Sequence, residues 1–297
     1  MNTTAPRIGL IGAGRIAKAL ARRWQAAGLA VVAVCSRHGE SAMQLAAQIE
    51  GCAAVATPAD VATRADLIVL AVPDDLLGTI VDQLGALHDK AVVHLSGASE
   101  LSVLDAARQA GAQVGGFHPL FLFAGRDDDA QRMAGCSITI EAAEPLANTL
   151  HQLARSLDCQ PLTIPAGQRA LYHAGANYAA SFILCLLEEA ATLWTHAGID
   201  RAQTVQALWP LVAGTLESAR GRALSDALAG PVSRGDVGIV AHHLNALDAL
   251  KGDHGALYRA LTRRALELAQ QRPSASQQAA ALAAIGALVD EPPKTQD

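Results

Sequence analysis

A short apolar run, Ile8-Gly9-Leu10-Ile11, leads directly into Gly12-Ala13-Gly14-Arg15-Ile16-Ala17, and a helical pattern follows at once. The pattern G-x-G-x-x-A between a strand and a helix demands three small residues for three separate reasons. Gly12 permits the tight turn, Gly14 keeps side-chain bulk away from an approaching pyrophosphate, and Ala17 allows close helix–strand packing. The helix that starts at Arg15 places Ile16, Leu20 and Trp24 on one face. Its first turn offers unpaired N–H groups and the positive end of the helix dipole to phosphates. The motif alone is weak in a chain rich in Gly and Ala; its position after a strand and before a helix makes it specific. Gly12, Ala13, Gly14, Arg15, Ile16 and Ala17 are therefore read as cofactor-binding.

The second strand, Ala30 to Cys35, is followed by Ser36-Arg37-His38. An acidic residue there would accept hydrogen bonds from the free ribose 2′-hydroxyl of NAD. Ser36 and Arg37 instead suit a 2′-phosphate. A charge-assisted hydrogen bond contributes ~1.5–3 kcal/mol, so the expected cofactor is NADP. The alternative is that Arg37 is a solvated loop residue.

Thr57-Pro58 reads as a helix start, with Thr57 as cap. Asp66 to Val72 is continuous and apolar at its centre, as in a parallel strand buried on both faces. Its exit, Ala71-Val72-Pro73-Asp74, falls at the strand end where open α/β sheets bind ligands. Ala91 to Leu95 is the next strand and ends in Ser96-Gly97. Val114 to Pro119 ends another on His118. Strands near Ser137–Ile140 and Leu162–Ile164 close the series, and helices are expected over Leu76–Leu87 and Glu100–Ala110. This alternation predicts a doubly wound α/β Rossmann sheet over residues 1–165.

After Pro165 the composition becomes Ala- and Leu-rich, without β-rich runs. Residues 166–297 are expected to be an all-α domain for substrate binding and dimerisation. Ala170 to Ala197 reads as one long helix, apolar on most faces between Ser181 and Leu193, and such a helix belongs inside a bundle or an oligomer interface. The tail Asp290–Asp297 is polar, carries two prolines and reads as disordered.

The chain has 297 residues and a net charge of -5, so it lacks the basic footprint of a nucleic-acid binder. Five scattered cysteines, an odd number, argue against a disulfide framework or a zinc site, and read as buried reduced thiols. Asp127-Asp128-Asp129 lacks the spacing of a calcium loop and reads as solvated. No metal is expected. The N-terminus shows no apolar signal core, and the longest apolar run, Tyr178 to Leu187, is short of the ~20 residues of a membrane span. The expectation is a cytoplasmic protein acting on a small molecule, without nucleic-acid or membrane partners.

Ser96 and His118 both follow strands and fall on the ligand edge of the sheet. Ser96 and Gly97 could contact the nicotinamide or a substrate oxygen, and His118 could donate a proton. Ser96 could equally be a helix-cap or turn hydroxyl, and His118 a hydrogen-bonded structural histidine before a proline. His173 and Asn177 are four apart on a helix and share a face, with Tyr172 on the flank. That pairing suits a proton donor and a substrate-orienting amide, or a satisfied polar patch. In Gly230-Pro231-Val232-Ser233-Arg234-Gly235-Asp236, Arg234 could clamp an anionic group and Asp236 could cap the next helix. Asp236 and His243, two helical turns on, could also form a dyad with a substrate.

In these motifs the chain resembles the NADP-dependent reductases that join a Rossmann domain to a helical C-terminal domain. Pyrroline-5-carboxylate reductase and the β-hydroxyacid (6-phosphogluconate-type) dehydrogenases are members. Within that group it is most similar to a bacterial family with a Rossmann-like domain followed by a domain of unknown function. The likeness rests on Gly12-Ala13-Gly14, Val72-Pro73-Asp74, Phe117-His118-Pro119-Leu120, Tyr172-His173-Ala174 and Gly230 to Asp236 with His243-Leu244. It implies a homodimer built through the C-terminal helices and an active site in an interdomain cleft. β-Hydroxyacid dehydrogenases carry a catalytic Lys and, four residues on, an Asn. This chain matches that spacing with His173 and Asn177 but has no lysine there.

The resulting expectation is hydride transfer between NADP and a small C=O or C=N substrate. His173 would be the proton donor or acceptor, Asn177 the orienting residue, and Ser96 and His118 the remaining polar wall. Arg234, Asp236, His243 and Tyr172 would contact substrate. The competing reading is a non-catalytic NADP-binding sensor. A deazaflavin partner would require a second cofactor groove, which the sequence does not mark.

Overall fold

The structure is a computed structural model describing residues 5–292. The N-terminal segment Met1–Thr4 and most of the tail read as disordered lie outside the described residues. The last helix, Ala279–Asp290, continues into the start of that tail.

The chain divides into two compact units, the first reaching Ala180 and the second starting at Ser181. The composition changes earlier, after Pro165. The first unit extends further because the helix Arg169–Ala179 is tied to the sheet through its first residue.

Eight strands form one sheet: β1 (Ile8–Ile11), β2 (Val31–Cys35), β3 (Ala53–Ala54), β4 (Leu67–Leu70), β5 (Ala91–His94), β6 (Gln113–Pro119), β7 (Ser137–Ala142) and β8 (Gln160–Thr163). Their order is β3-β2-β1-β4-β5-β6-β7-β8. The chain winds outward from β1 to β3, then returns to β1's other side with β4. The C-terminal ends of β1 and β4 therefore flank the topological switch point, where open α/β sheets bind ligands. β1 to β6 run parallel, and β1 and β4 are buried at every residue. β7 is antiparallel to β6 and sets Thr139 directly opposite His118. The chain can reverse here because an antiparallel neighbour needs no crossover to the far edge.

Helices cover both faces. On one, Ala17, Leu20 and Trp24 of the helix Arg15–Ala26 are fully buried, and the Trp24 ring lies 6.2 Å from that of Phe117. On the other, Pro58–Arg64 packs so closely on β1 that a Cβ at Gly9 would collide with Val61. That helix begins with a reciprocal capping box. The Asp60 N–H donates to Thr57 Oγ1 at 3.1 Å, and the Thr57 N–H donates to Asp60 Oδ2 at 3.0 Å.

The helices expected over Leu76–Leu87 and Glu100–Ala110 are shorter than their apolar patterns suggest. Only Leu77–Val81 and Asp105–Gln109 are α-helical, each preceded by a 3-10 turn. In the first case Gly78 and the β-branched run Thr79-Ile80-Val81 weaken helix propensity. Asp129 is a further departure. It is buried and accepts the N–H groups of Gly125 at 2.7 Å and Arg126 at 3.1 Å, rather than facing water. The five cysteines are all free, but only Cys35 and Cys159 are buried and Cys185 is exposed.

The single helix expected over Ala170–Ala197 is interrupted at Ala180, whose N–H reaches back three residues to the Asn177 carbonyl. Among the described residues, only Arg169–His196 is long and apolar enough to cross a membrane, with a hydropathy of 1.3. Its first residue is ion-paired inside the sheet unit, which insertion into lipid would disrupt.

Among the described residues, all the regular secondary structure of the second unit is helical. Val232, Val240, Leu244, Leu266, Leu282, Ile285 and Val289 form its core. A buried two-pronged ion pair, Arg259 to Asp248 at 2.7 Å on both arms, joins two of its helices. The Ser181–His196 and Arg201–Ala219 helices pack on each other but leave Leu184, Trp209, Leu211 and Leu216 more than half exposed.

Candidate active site

β1 ends in the glycine turn, where Gly12 takes φ +107° and its N–H donates to the Cys35 carbonyl at 2.8 Å. A Cβ at Gly12 would collide with the Ala71 carbonyl oxygen at the end of β4. The turn is thus clamped between the ends of β2 and β4. Gly14 differs: a Cβ there would meet nothing within 4 Å. It opens onto a cleft of about 410 Å³ lined by Arg15, Ile16 and Ala17 from the helix, Ala71 to Asp74 after β4, Leu95 and Ser96 after β5, and Phe121 and Phe123.

A dinucleotide fits the character of this cleft. The helix from Arg15 has no side-chain cap and no acid in its first turn, so its free N–H groups are left for an anion. Ser36 and Arg37 follow β2 directly, with Arg37 exposed. Ala13, Gly14, Arg15, Ile16 and Ala17 could hold a pyrophosphate. Ala71, Val72, Pro73 and Ser96 line the same cleft, and Gly97 follows Ser96.

Ser96 is held as the cleft's polar wall. Its hydroxyl donates to Asp74 Oδ2 at 2.6 Å and accepts the N–H groups of Ala98 at 3.1 Å and Ser99 at 2.8 Å. Ser99 adds a second hydroxyl to Asp74 Oδ2 at 3.1 Å. The turn-hydroxyl reading of Ser96 is thus met, and the same bonds fix Asp74 at the cleft.

Gly97 has a specific reason to be glycine. A Cβ there would lie 2.7 Å from His173 Cδ2 and 2.9 Å from His118 Cε1. The two histidines converge on the Gly97 backbone, their rings 6.3 Å apart. His118 is bonded through Nδ1 to the Tyr172 hydroxyl at 2.9 Å, and Thr139 donates its hydroxyl to Tyr172 at 2.6 Å. With Thr139 donating, the Tyr172 proton is free to point at His118 Nδ1. The hydrogen-bond network then assigns the His118 proton to Nε2, on the Gly97 side. Burial, with positive potential from His173 and Arg169, lowers the His118 pKa from 6.5 to about 4, against an opposing pull from Asp74. His118 is therefore a neutral imidazole at neutral pH, a hydrogen-bond donor rather than a standing cation. Burial raises the Tyr172 pKa above its ordinary value.

Behind this row lies a charged pair that the sequence reading missed. Arg169 is fully buried and donates from Nε to Glu141 Oε2 at 2.5 Å and from Nη1 to the Ser96 carbonyl at 2.8 Å. Its N–H donates to Glu100 Oε1 at 3.2 Å. A Cβ at Gly116 would fall on Arg169 Nη2, so Gly116 in β6 makes room for the guanidinium, whereas Gly115 lies close against the Glu141 carbonyl and Leu150. His94, fully buried at the end of β5, forms no well-formed hydrogen bond; its polar neighbour is the Ser96 backbone. Burial and then Arg169 lower its pKa to about 4. The available sequence signals were a glycine pair in a strand and a lone Arg at a helix start.

The remaining expected residues are placed as follows. Asn177 lies one turn beyond His173 on the same helix, half-buried. Arg234, Asp236 and His243 belong to the second unit. Asp236 caps the helix Val237–Asp248, accepting the Ile239 N–H at 3.2 Å. His243 bonds through Nδ1 to the Tyr258 hydroxyl at 2.8 Å. Asp236 and His243 are thus hydrogen-bonded to Ile239 and Tyr258 rather than to each other. Arg234 is exposed at the end of the short helix Pro231–Arg234.

Comparison with known proteins gives the family models and folds that this chain resembles. Residues 7–97 match the family model described as NADP oxidoreductase coenzyme F420-dependent, and residues 136–265 match the domain of unknown function DUF2520. A Bacteroides fragilis protein assigned as an NADP oxidoreductase is similar at 26% identity and a TM-score of 0.69, over 88% of this chain and 98% of that one. The imine reductase of Myxococcus stipitatus, solved with NADP+, shares the fold at 18% identity and a TM-score of 0.63, covering 88% of this chain and 94% of that one. Pyrroline carboxylate reductase of Plasmodium falciparum, with NADP bound, shares it at 13% identity and a TM-score of 0.58, covering 96% and 98%. No curated protein matches.

Proposed function

We propose that this chain, an NADP-oxidoreductase Rossmann domain joined to a DUF2520 domain, is an NADP-dependent reductase of a small C=O or C=N compound. The observation that carries the reading is the hydrogen-bonded row Thr139–Tyr172–His118, which ends on Gly97 beside the switch-point cleft. NADPH, when bound, supplies the hydride. The protein must then supply orientation and one proton.

In this reading His118 Nε2–H donates a hydrogen bond to the substrate oxygen or nitrogen and polarises the double bond. A neutral imidazole suits that task when burial holds its pKa low. As negative charge develops on the substrate atom, the Nε2 proton passes to it and the Tyr172 proton passes to Nδ1. His118 stays neutral, and the phenolate left on Tyr172 keeps the Thr139 hydrogen bond until solvent restores its proton. His173, exposed beside His118, is the natural link to solvent. Asn177 and Ser96 orient the substrate. The proton-donor role expected for His173 thus moves to His118.

We also infer a homodimer through the C-terminal helices. Leu184, Trp209, Leu211 and Leu216 of the two helices are each more than half exposed, and exposed large apolar side chains of this kind suit a subunit interface. Five free cysteines support a reducing, cytoplasmic setting.

The test is NADPH oxidation against a panel of ketones, keto acids, cyclic imines and a deazaflavin, the last because the matching model names coenzyme F420. Turnover of a C=O or C=N compound that His118→Gln reduces at least tenfold supports the reading. NADPH binding without turnover of any member would favour the sensor.

A further inference from the structure

The buried charge behind the polar row is costly. Removing a guanidinium and a carboxylate from water costs several kcal/mol per ion, and an apolar pair of similar volume is often at least as stable. Here the cost is incompletely offset, since Arg169 Nη2 has no hydrogen-bond partner and the neighbouring His94 ring has no well-formed one. Yet three elements are shaped around Arg169. Glu141 on β7 pairs with its Nε, the Ser96 carbonyl after β5 takes its Nη1, and β6 gives up a side chain at Gly116. Arg169 is also the first residue of the helix that carries Tyr172 and His173, one turn further on. A single rigid fork therefore connects the Ser96–Gly97 turn, the strand that bears Thr139, and the helix that bears Tyr172.

We propose that Arg169, paired with Glu141, is the positioning residue of this site. It holds the Ser96–Gly97 backbone and the Tyr172 helix in the one register that lets Tyr172 reach His118 while His118 and His173 converge on Gly97. The proposal rests on the reductase reading for the purpose of that register, but its geometry can be tested without a substrate. The fork geometry matters as much as the charge. A lysine ammonium at this position would have no planar pair of donors with which to serve Glu141 and Ser96 together.

Several groups face His118: His173, Tyr172 and Arg169 from the Arg169–Ala179 helix, Asp74 after β4, Thr139 on β7 and His94 on β5. Arg169 is the one permanent cation among them. Loss of its charge makes protonation of His118 easier, whereas loss of the fork with the charge retained does not.

The experiment compares the full-length protein with R169K and with R169M/E141Q, the second chosen because it leaves no unpaired charge. The readouts are thermal unfolding, NADPH affinity by fluorescence, and the His118 titration midpoint by NMR of ¹³C-labelled histidine, assigned with H118Q. Both variants are expected to fold and to bind NADPH within about threefold of the parent, because Arg169 does not line the cleft. The His118 midpoint should rise by on the order of half a unit or more in R169M/E141Q and stay low in R169K. In crystal structures of both variants the Tyr172–His118 bond should be lost. Where the parent turns over a panel compound, kcat should fall at least tenfold in both, with KM little changed.

An intact Tyr172–His118 bond with an unmoved His118 midpoint in R169M/E141Q would overturn the proposal, as would failure of both variants to fold. Failure of the reductase reading looks different: the parent oxidises no NADPH with any compound, while the His118 and crystallographic responses remain.

Discussion

Tyr172 and His118, 54 residues apart in the chain, meet through a 2.9 Å hydrogen bond between the phenol and imidazole Nδ1. The bond exists because β7 runs antiparallel to β6. Thr139 then stands opposite His118 and donates its hydroxyl to the Tyr172 oxygen. The Tyr172–His118 bond sets the tautomer of His118 and leaves the other ring nitrogen's proton on the Gly97 side.

Tyr172→Phe removes that phenolic proton while keeping the ring. The expected result is a fall in kcat of about 10²-fold or more, within the usual range for a lost acid–base group. NADPH affinity should be unaffected. Steady-state kinetics with any turned-over compound, beside a fluorescence titration, checks both.

Arg37→Ala should weaken NADPH binding by about tenfold to a hundredfold and leave NADH binding unchanged, as expected for loss of one charge-assisted hydrogen bond to a 2′-phosphate. Equal weakening of both cofactors would place Arg37 away from the 2′-phosphate. Paired titrations measure the difference.

Gly116→Ala places a methyl group on Arg169 Nη2, inside a fully buried guanidinium. Overpacking of this kind costs about 1–3 kcal/mol. A drop in Tm is expected, together with loss of turnover out of proportion to it, because Arg169 can relieve the clash only by leaving Ser96 or Glu141.

Acid should destabilise this protein earlier than carboxylate protonation alone would. His94 and His118 are each held near a pKa of about 4 in the folded chain, against an ordinary value of 6.5. Between those values the unfolded chain binds more protons, so stability is fully present above pH 6.5 and falls as pH drops toward 4. Each histidine contributes up to about 3 kcal/mol across that window. His94→Leu removes a buried imidazole that lacks a well-formed hydrogen bond. It should flatten the dependence of Tm on pH over this range. An unchanged slope would mean that His94 is already protonated in the fold.

Local patterns carried the fold class. Gly12, Gly14 and Ala17, the Thr57-Pro58 cap and the apolar β4 run each specify their own element through backbone freedom, capping or burial, and need no distant partner. The short helices after β4 and β5 were less legible because their apolar spacing continues past the point where the helix stops. At the site, strand ends located Ser96, Gly97 and His118, and helical spacing located Tyr172 and His173. Asp236 was legible as a cap, and His243 was not legible as a partner of Tyr258.

The sequence by itself thus determined a nucleotide-binding α/β sheet, its switch point, and an all-helical second half, because those follow from period, turn chemistry and composition. Only the tertiary structure decided which polar groups act together. Arg169, Glu141, Gly116 and His94 come from four separate elements and have no shared spacing. Burial of a charge is affordable only where another part of the chain supplies its counter-charge and its space, and that complementarity exists only in the folded state.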